Sequence, residues 1–468
     1  MAENGMCSMD ETVNKLRGTF KSQKTRPYEW RKAQLQAVLR MIRENEEEFK
    51  ASAATEMSKP LLEVKMTEIS TVEKSVKHAL TNLKSWMKPS PVRTEIIHFP
   101  TTARIINEPL GVVLVFGAWN FPLNLCLVPL VNALAAGNCV VVKPSELAPK
   151  ASATLKKVLD KYLDPEAFAV IEGGADVAEE LLKRKFDHIF FTGSERVGRI
   201  VYEAAAKQLT PVTLELGGKS PAFVDESANF ETTARRLLFG KHINSGQLCI
   251  AADYGLVTKG AMQPLRAALL DAYHQFYPKG EASKNETTHL VHQRHTDRLL
   301  AMLNEDEKVR GDIVIGGQYD RDCNWIAPTV FYNTKPEARI MQEEIFGPLL
   351  PVLPVEDLDD ALQFISDRPH PLAAYIFSTN RKTVETFSSR VSTGAVVVNH
   401  VILHYSIETL PFGGVGSSGI GRYHGKSGFE TFSNRKAFLH KSAASVLDLD
   451  IIYPPVTERK VKMLDLLL

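Results

Sequence analysis

Five short, almost uninterrupted apolar runs recur at residues 112–116, 139–143, 168–171, 188–191 and 212–216. A strand that is apolar on both sides has no face for water, so it belongs inside a sheet covered on both faces. Segments with helical character lie between the runs, around 123–136, 150–162, 176–183 and 195–207. This alternation predicts an α/β fold with a doubly wound, parallel sheet. Ligands of such sheets bind beyond the carboxyl ends of the strands, which is where chemistry is to be sought. A second alternating block runs from about 220 to 410, with strand candidates at 222–224, 254–257, 313–315, 349–352 and 395–398. No repeat, low-complexity segment or Gly/Ser linker separates the two blocks, so they are expected to share an interface.

Ahead of the first run, Leu35, Val38, Leu39 and Ile42 form a helical stripe. Pro60 interrupts, and Ile69, Val72, Val76 and Leu83 restart the pattern. Residues 95–107 alternate loosely around Pro100, as expected of a polar hairpin outside the main fold that is free to dock against another subunit.

Charge narrows the function classes. Lys and Arg total 56 against 55 Asp and Glu, a net charge of +1, with the basic residues spread along the chain. That is no electrostatic footprint for nucleic acid. The five cysteines (Cys7, Cys126, Cys139, Cys249, Cys323) are scattered, and none has metal-ligand spacing. This fits a reducing, cytoplasmic setting and no metal site. Residues 109–142 carry no charge, yet Asn120, Pro122, Asn124, Pro129, Asn132 and Asn138 interrupt them. A buried strand, turn and helix are expected there rather than a membrane span. The polar first ten residues lack an apolar signal core. The basic-apolar stretch 459–463 is expected to be a frayed tail, with a weak membrane-surface helix as the alternative.

Candidate functional groups follow the strands, and each has a plainer reading. Asn120 lies just past the first run, where its amide could stabilise an oxyanion or merely cap a helix. Lys143 and Glu146 follow the second run; a carboxylate there can accept both hydroxyls of a ribose, and the alternative is a charged loop. Residues 193–198 (Gly193, Ser194, Glu195, Arg196, Val197, Gly198) make a glycine turn into a helix. This is an anion site, or a tight turn capped by Ser194. It is not a Walker loop, because Arg199 and Ile200 stand where Lys-Ser/Thr is required. Glu215 ends an apolar strand, where burial would suit it to act as a base unless an ion pair satisfies it. Cys249 follows Gly246 and Gln247 in a small-residue turn that would expose its sulfur; an inert buried thiol is the alternative and the expectation for Cys126 and Cys139. Glu344 could bind a sugar and Phe346 stack on a flat ring, or the pair could be an ordinary strand entry.

Taken in order, Asn120, Lys143 to Glu146, Gly193 to Gly198, Glu215 to Gly218, Gly246 to Cys249, Glu344 to Pro348 and Pro411 to Gly416 resemble the aldehyde dehydrogenase superfamily from about residue 10 to 455. Met341 to Glu344, Gly421 to Lys426 and Phe429 to Phe432 are most similar to its class 3 branch, which handles aromatic and medium- or long-chain aldehydes. The resemblance implies a Rossmann-type NAD-binding domain at 1–92 and 108–213. It implies a catalytic α/β domain at 214–410, with bridging or oligomerisation segments and tail at 93–107 and 411–468. It further implies a homodimer acting on a small-molecule aldehyde with NAD, NADP also being possible. Cys249 is then the nucleophile, Glu215 the base that activates the deacylating water, and Asn120 with the Cys249 backbone N–H the oxyanion hole. Lys143 and Glu146 bind the adenosine ribose, 193–198 the pyrophosphate, and Glu344 with Phe346 the nicotinamide ribose and ring. Glu195–Arg196, Phe121 and His400 depart from the family pattern, the last two beside its substrate tunnel. A thioesterase or CoA-acylating enzyme would share the thioester step, and a silent binding protein would lack turnover; the presence of both Cys249 and Glu215 favours an enzyme that hydrolyses.

Overall fold

The computed structural model describes residues 2–95, 98–444, 447–448 and 450–467. All five apolar runs are strands of one six-stranded sheet, in the order Gly419–Ile420, Val212–Glu215, His188–Thr192, Val112–Phe116, Cys139–Lys143, Phe168–Val170. Its five main strands are parallel, and Gly419–Ile420 closes one edge antiparallel to Val212–Glu215. The connecting helices are Asn124–Ala136, Pro149–Tyr162, Ala175–Leu182 and Glu195–Ala206. Every residue of Asn124–Ala136 is buried, which accounts for the uncharged stretch without a membrane. Among the described residues, no helix is long and apolar enough to cross a bilayer.

The second sheet has seven strands: Asp312–Ile315, Thr329–Tyr332, Leu349–Val355, Tyr254–Thr258, Pro221–Val224, Ala373–Phe377 and Ala395–Val398. Only the Asp312–Ile315 pairing is antiparallel. Thr329–Tyr332 and Ala373–Phe377 are wholly buried apolar strands that the sequence reading does not single out.

The stripe residues Leu35, Val38, Ile42, Val72, Val76 and Leu83 are buried on the helices Tyr28–Glu44 and Ser70–Met87, which pack on Asn124–Ala136. The expected hairpin is part of a three-stranded sheet in which Thr101–Pro109 lies between Ser90–Val92 and Ser433–Lys441. Its long partner therefore comes from the far end of the chain, and its short partner precedes the expected range; residues 96 and 97 of that range lie outside the described residues. A boundary between 213 and 214 falls within the strand Val212–Glu215. Beyond 410, Gly419–Ile420 joins the first sheet, and Gly425–Thr431 packs on Asn124–Ala136. The basic-apolar end is not frayed: Glu458–Leu467 is a helix, because its charged and apolar residues alternate at helical spacing without Gly or Pro.

Candidate active site between the two sheets

The carboxyl ends of the first sheet's central strands meet the loops that enter the second sheet. Asn120 follows Val112–Phe116 and is buried. Its Nδ2 donates to the Gln247 carbonyl at 3.0 Å. A primary amide has two N–H donors, so one remains for another acceptor. Asn120 does not cap the following helix. The N–H groups of Leu123 and Asn124 at that helix start are taken instead by Glu68 Oε2, at 3.0 and 2.9 Å.

Cys249 sits in the loop between the helix Phe230–His242 and the strand Tyr254–Thr258, half-buried, its thiol free. Three successive left-handed residues, Asn244 (φ 51°), Ser245 (φ 49°) and Gly246 (φ 65°), bend the chain ahead of it. A Cβ on Gly246 would lie 2.3 Å from the Gly347 carbonyl, so only glycine lets this turn approach the Glu344–Pro348 segment. Burial, then Glu344 and Glu215, push the Cys249 thiol up, while the backbone N–H groups of Cys249 and Ile250 oppose them. The free site therefore holds a thiol rather than a standing thiolate. Cys126 and Cys139 are buried, and burial pushes both up to about 12, as inert thiols should be.

Glu215 ends its strand 2% exposed, and neither carboxylate oxygen has a hydrogen-bond partner. Among the described residues no ion pair satisfies it; burial pushes its carboxyl up, and Arg422 only partly offsets this. Glu344 reaches over the residues just past this strand, since a Cβ on Gly217 would meet its Oε2 at 2.1 Å. Burial, then Asp253, push its carboxyl up to about 8, and Oε1 lacks a partner. Phe346 is half-buried and meets Trp119 edge-on at 5.4 Å.

The second group of residues lies at the same sheet edge. Lys143 is buried and holds Glu146 Oε2 at 3.0 Å, leaving the Glu146 side chain 47% exposed. Against the upward pull of burial, its own backbone N–H and Lys143 keep the Glu146 carboxyl below the usual range, so it is an ionised acceptor. The Gly193 N–H donates to the Glu215 carbonyl at 3.1 Å, tying the glycine turn to the base-bearing strand. A Cβ on Gly198 would lie 2.7 Å from Leu216 Cδ2, so glycine brings the helix Glu195–Ala206 close to the strand end. Ser194 does cap that helix, accepting from the Val197 N–H at 3.5 Å. Ser194, Glu195 and Arg196 are exposed, and Glu195 pairs with Arg199 rather than blocking the helix start. An exposed carboxylate, an open helix N-terminus and the partnerless Oε1 of Glu344 are the donors and acceptors a dinucleotide requires.

Sequence reasoning passes over several groups at this site. Tyr375 and Tyr423 are buried and Tyr405 half-buried near Cys249, and burial pushes each hydroxyl up. Lys59 and Glu68 bury both side chains completely under Asn120. Lys59 between Ser58 and Pro60, and Glu68 between Thr67 and Ile69, carry no local signal of burial. Among the described residues, no group of His, Cys, Asp and Glu is arranged to hold a metal.

The model of the aldehyde dehydrogenase family matches residues 2–438. The chain is 44% identical over 461 residues to aldehyde dehydrogenase family 3 member H1 of Arabidopsis thaliana, covering 98% of this chain and 95% of that one. It is 42% identical over 453 residues to aldehyde dehydrogenase family 3 member A2 of Macaca fascicularis, covering 97% and 92%. The solved substrate-bound state of Staphylococcus aureus AldH superposes with a TM-score of 0.94 at 38% identity, covering 98% of this chain and 99% of that one.

Proposed function

The chain belongs to the aldehyde dehydrogenase family, whose members oxidise aldehydes to carboxylic acids with NAD(P), and on that premise we propose how its residues divide the reaction. Cys249 attacks the aldehyde carbon, and Glu215 takes the thiol proton. The free N–H of Asn120 and the Cys249 backbone N–H hold the oxygen as charge develops on it. A bound nicotinamide cofactor supplies the hydride acceptor. Cys249 is left carrying a thioester; Glu215 releases the thiol proton to solvent, then removes a proton from the water that hydrolyses the thioester and returns it to the departing Cys249 thiolate. Lys143 and Glu146 hold the adenosine ribose, and the turn Gly193, Ser194, Glu195, Arg196, Val197 and Gly198 faces the pyrophosphate. Glu344 and Phe346 position the nicotinamide end. The first sheet is accordingly the cofactor-binding unit and the second the catalytic one.

The observation that carries this reading is the presence of a free, half-buried Cys249 together with a buried Glu215 whose oxygens have no hydrogen-bond partner. Cys249→Ala should abolish NADH production from aldehyde while leaving folding and NAD binding intact. Residual turnover in that variant sinks the assignment.

The substrates are aromatic and medium- to long-chain aliphatic aldehydes, a class that the tyrosines near Cys249 and the likeness to family 3 enzymes support. Initial rates over a panel from acetaldehyde to long-chain and benzylic aldehydes, with each cofactor, test it. The protein works as a homodimer, for which the exposed edge strand Ser433–Lys441 offers a docking edge; sedimentation analysis tests that. The four free cysteines Cys126, Cys139, Cys249 and Cys323 favour a cytoplasmic location, testable by fractionation.

A further inference from the structure

Beneath the oxyanion amide lies a group of buried charges that the reaction as described does not use. Lys59 and Glu68 have fully buried side chains 3.4 Å apart. Glu63 is 5% exposed. Lys59 follows the helix Glu46–Met57, while Glu63 lies on the helix Leu61–Val64 and Glu68 on the segment Lys65–Ile69 that continues it. In a regular α-helix residues five apart point about 140° away from each other. Here the segment Lys65–Ile69 is a π turn, closed by i→i+5 bonds, which brings both carboxylates to the inward side.

Each member grips backbone that carries a proposed functional group. Lys59 Nζ donates to the Asn120 backbone carbonyl at 3.0 Å and sits 4.5 Å over the Phe121 ring. Glu68 Oε2 accepts from the N–H groups of Leu123 and Asn124. Glu63 Oε1 accepts from the Asn244 N–H at 2.8 Å, the first of the three left-handed residues before Cys249, and its carboxylate also takes the Thr288 hydroxyl at 3.2 Å. Asn244 Nδ2 then bridges the two loops, donating to the Asn120 carbonyl at 3.0 Å and the Gln247 carbonyl at 3.1 Å.

A buried ion group is seldom the most stable filling for a core, since apolar side chains of the same volume avoid the desolvation cost. These three also touch both loops of the site and no surface. We propose that Lys59, Glu63 and Glu68 are positioning residues that preset the Asn120 amide against the Cys249 turn, so that the oxyanion hole exists before substrate arrives. This rests on the reading of Asn120 and Cys249 given above. Preset donors pay no reorganisation as charge develops, and a displacement of about 1 Å in such a site can cost ~10²-fold in rate.

A double-mutant cycle on the full-length enzyme tests it, with Asn120→Ala, Glu68→Gln and the pair. Glu68→Gln keeps an acceptor for the two N–H groups but turns an amide toward Lys59. The expected result is a kcat lowered about 10- to 100-fold with the KM for NAD within about twofold of wild type. The pair should be no slower than Asn120→Ala alone, because Glu68 acts through Asn120. If Asn120→Ala leaves kcat unchanged, the oxyanion reading fails and the proposal with it. If Asn120→Ala is slow but Glu68→Gln is at wild-type rate, or the two losses multiply, the oxyanion reading stands and the positioning role is overturned. Should Glu68→Gln not fold, the near-isosteric Thr288→Val, which removes only a hydroxyl from Glu63, replaces it. It should lower kcat severalfold with the NAD KM unmoved, and a wild-type kcat overturns the proposal.

Discussion

Asn120 and Gln247, 127 residues apart in the chain, are joined by a 3.0 Å hydrogen bond from the Asn120 side-chain amide to the Gln247 carbonyl. The bond uses one amide proton and fixes the plane of the other, two residues from the nucleophile. One proposed oxyanion donor is thus held by the loop that carries the sulfur it serves.

Asn120→Ala should lower kcat by ~10²–10³-fold, the usual cost of one oxyanion donor. NAD affinity, read by quenching of protein fluorescence, should be unaffected because the ribose residues lie at a different strand end. An unchanged kcat would remove Asn120 from the reaction.

Glu215→Gln keeps the size of the side chain and removes its ability to take a proton. Steady-state turnover should fall by ~10²–10⁴-fold. A burst of NADH near one equivalent should remain, with an acyl adduct on Cys249 visible by mass spectrometry. Because the Cys249 thiol is itself pushed up, the burst should also slow, and raising the pH should restore the burst but not the second step. Wild-type turnover in this variant would mean that another group is the base.

The ionised, half-exposed Glu146 beside Lys143 should accept the 2′-hydroxyl of NAD and repel the 2′-phosphate of NADP. The enzyme should prefer NAD, and Glu146→Gln should narrow the ratio of kcat/KM values. A strong wild-type preference for NADP would place the ribose elsewhere.

Glu344 makes stability fall with pH. Its carboxyl is raised from the ordinary 4.5 to about 8, so between those values the folded chain keeps a proton that the unfolded chain has released. The stabilisation is full below about pH 4.5 and is lost as pH rises through about 8. Glu344→Gln cannot ionise, so the Tm difference between variant and wild type, measured without cofactor, should move in the variant's favour across this window and level off above it. A constant difference from pH 5 to 9 would show that Glu344 is ionised throughout.

Much of this protein is legible locally. The five apolar runs mark the strands of the first sheet because a strand buried on both faces must be apolar throughout. The candidate side chains follow those strands because that is where the backbone leaves the sheet. Thr329–Tyr332 and Ala373–Phe377 carry the same signal and could have been read from it.

What only the tertiary structure decided is which distant segments meet. Ser433–Lys441 pairs with Thr101–Pro109, Glu68 satisfies the helix start at Leu123, and Glu63 holds the turn before Cys249. A backbone N–H or a buried carboxylate accepts any suitable partner, so its local sequence does not name the one it finds. The state of Cys249 is settled the same way. Its own neighbours suggest an accessible nucleophile, but burial, then Glu344 from the loop before Leu349–Val355 and Glu215 from the first sheet, push the thiol up. Periodicity is a property of a short segment, whereas a titration shift is a sum over everything packed around the group.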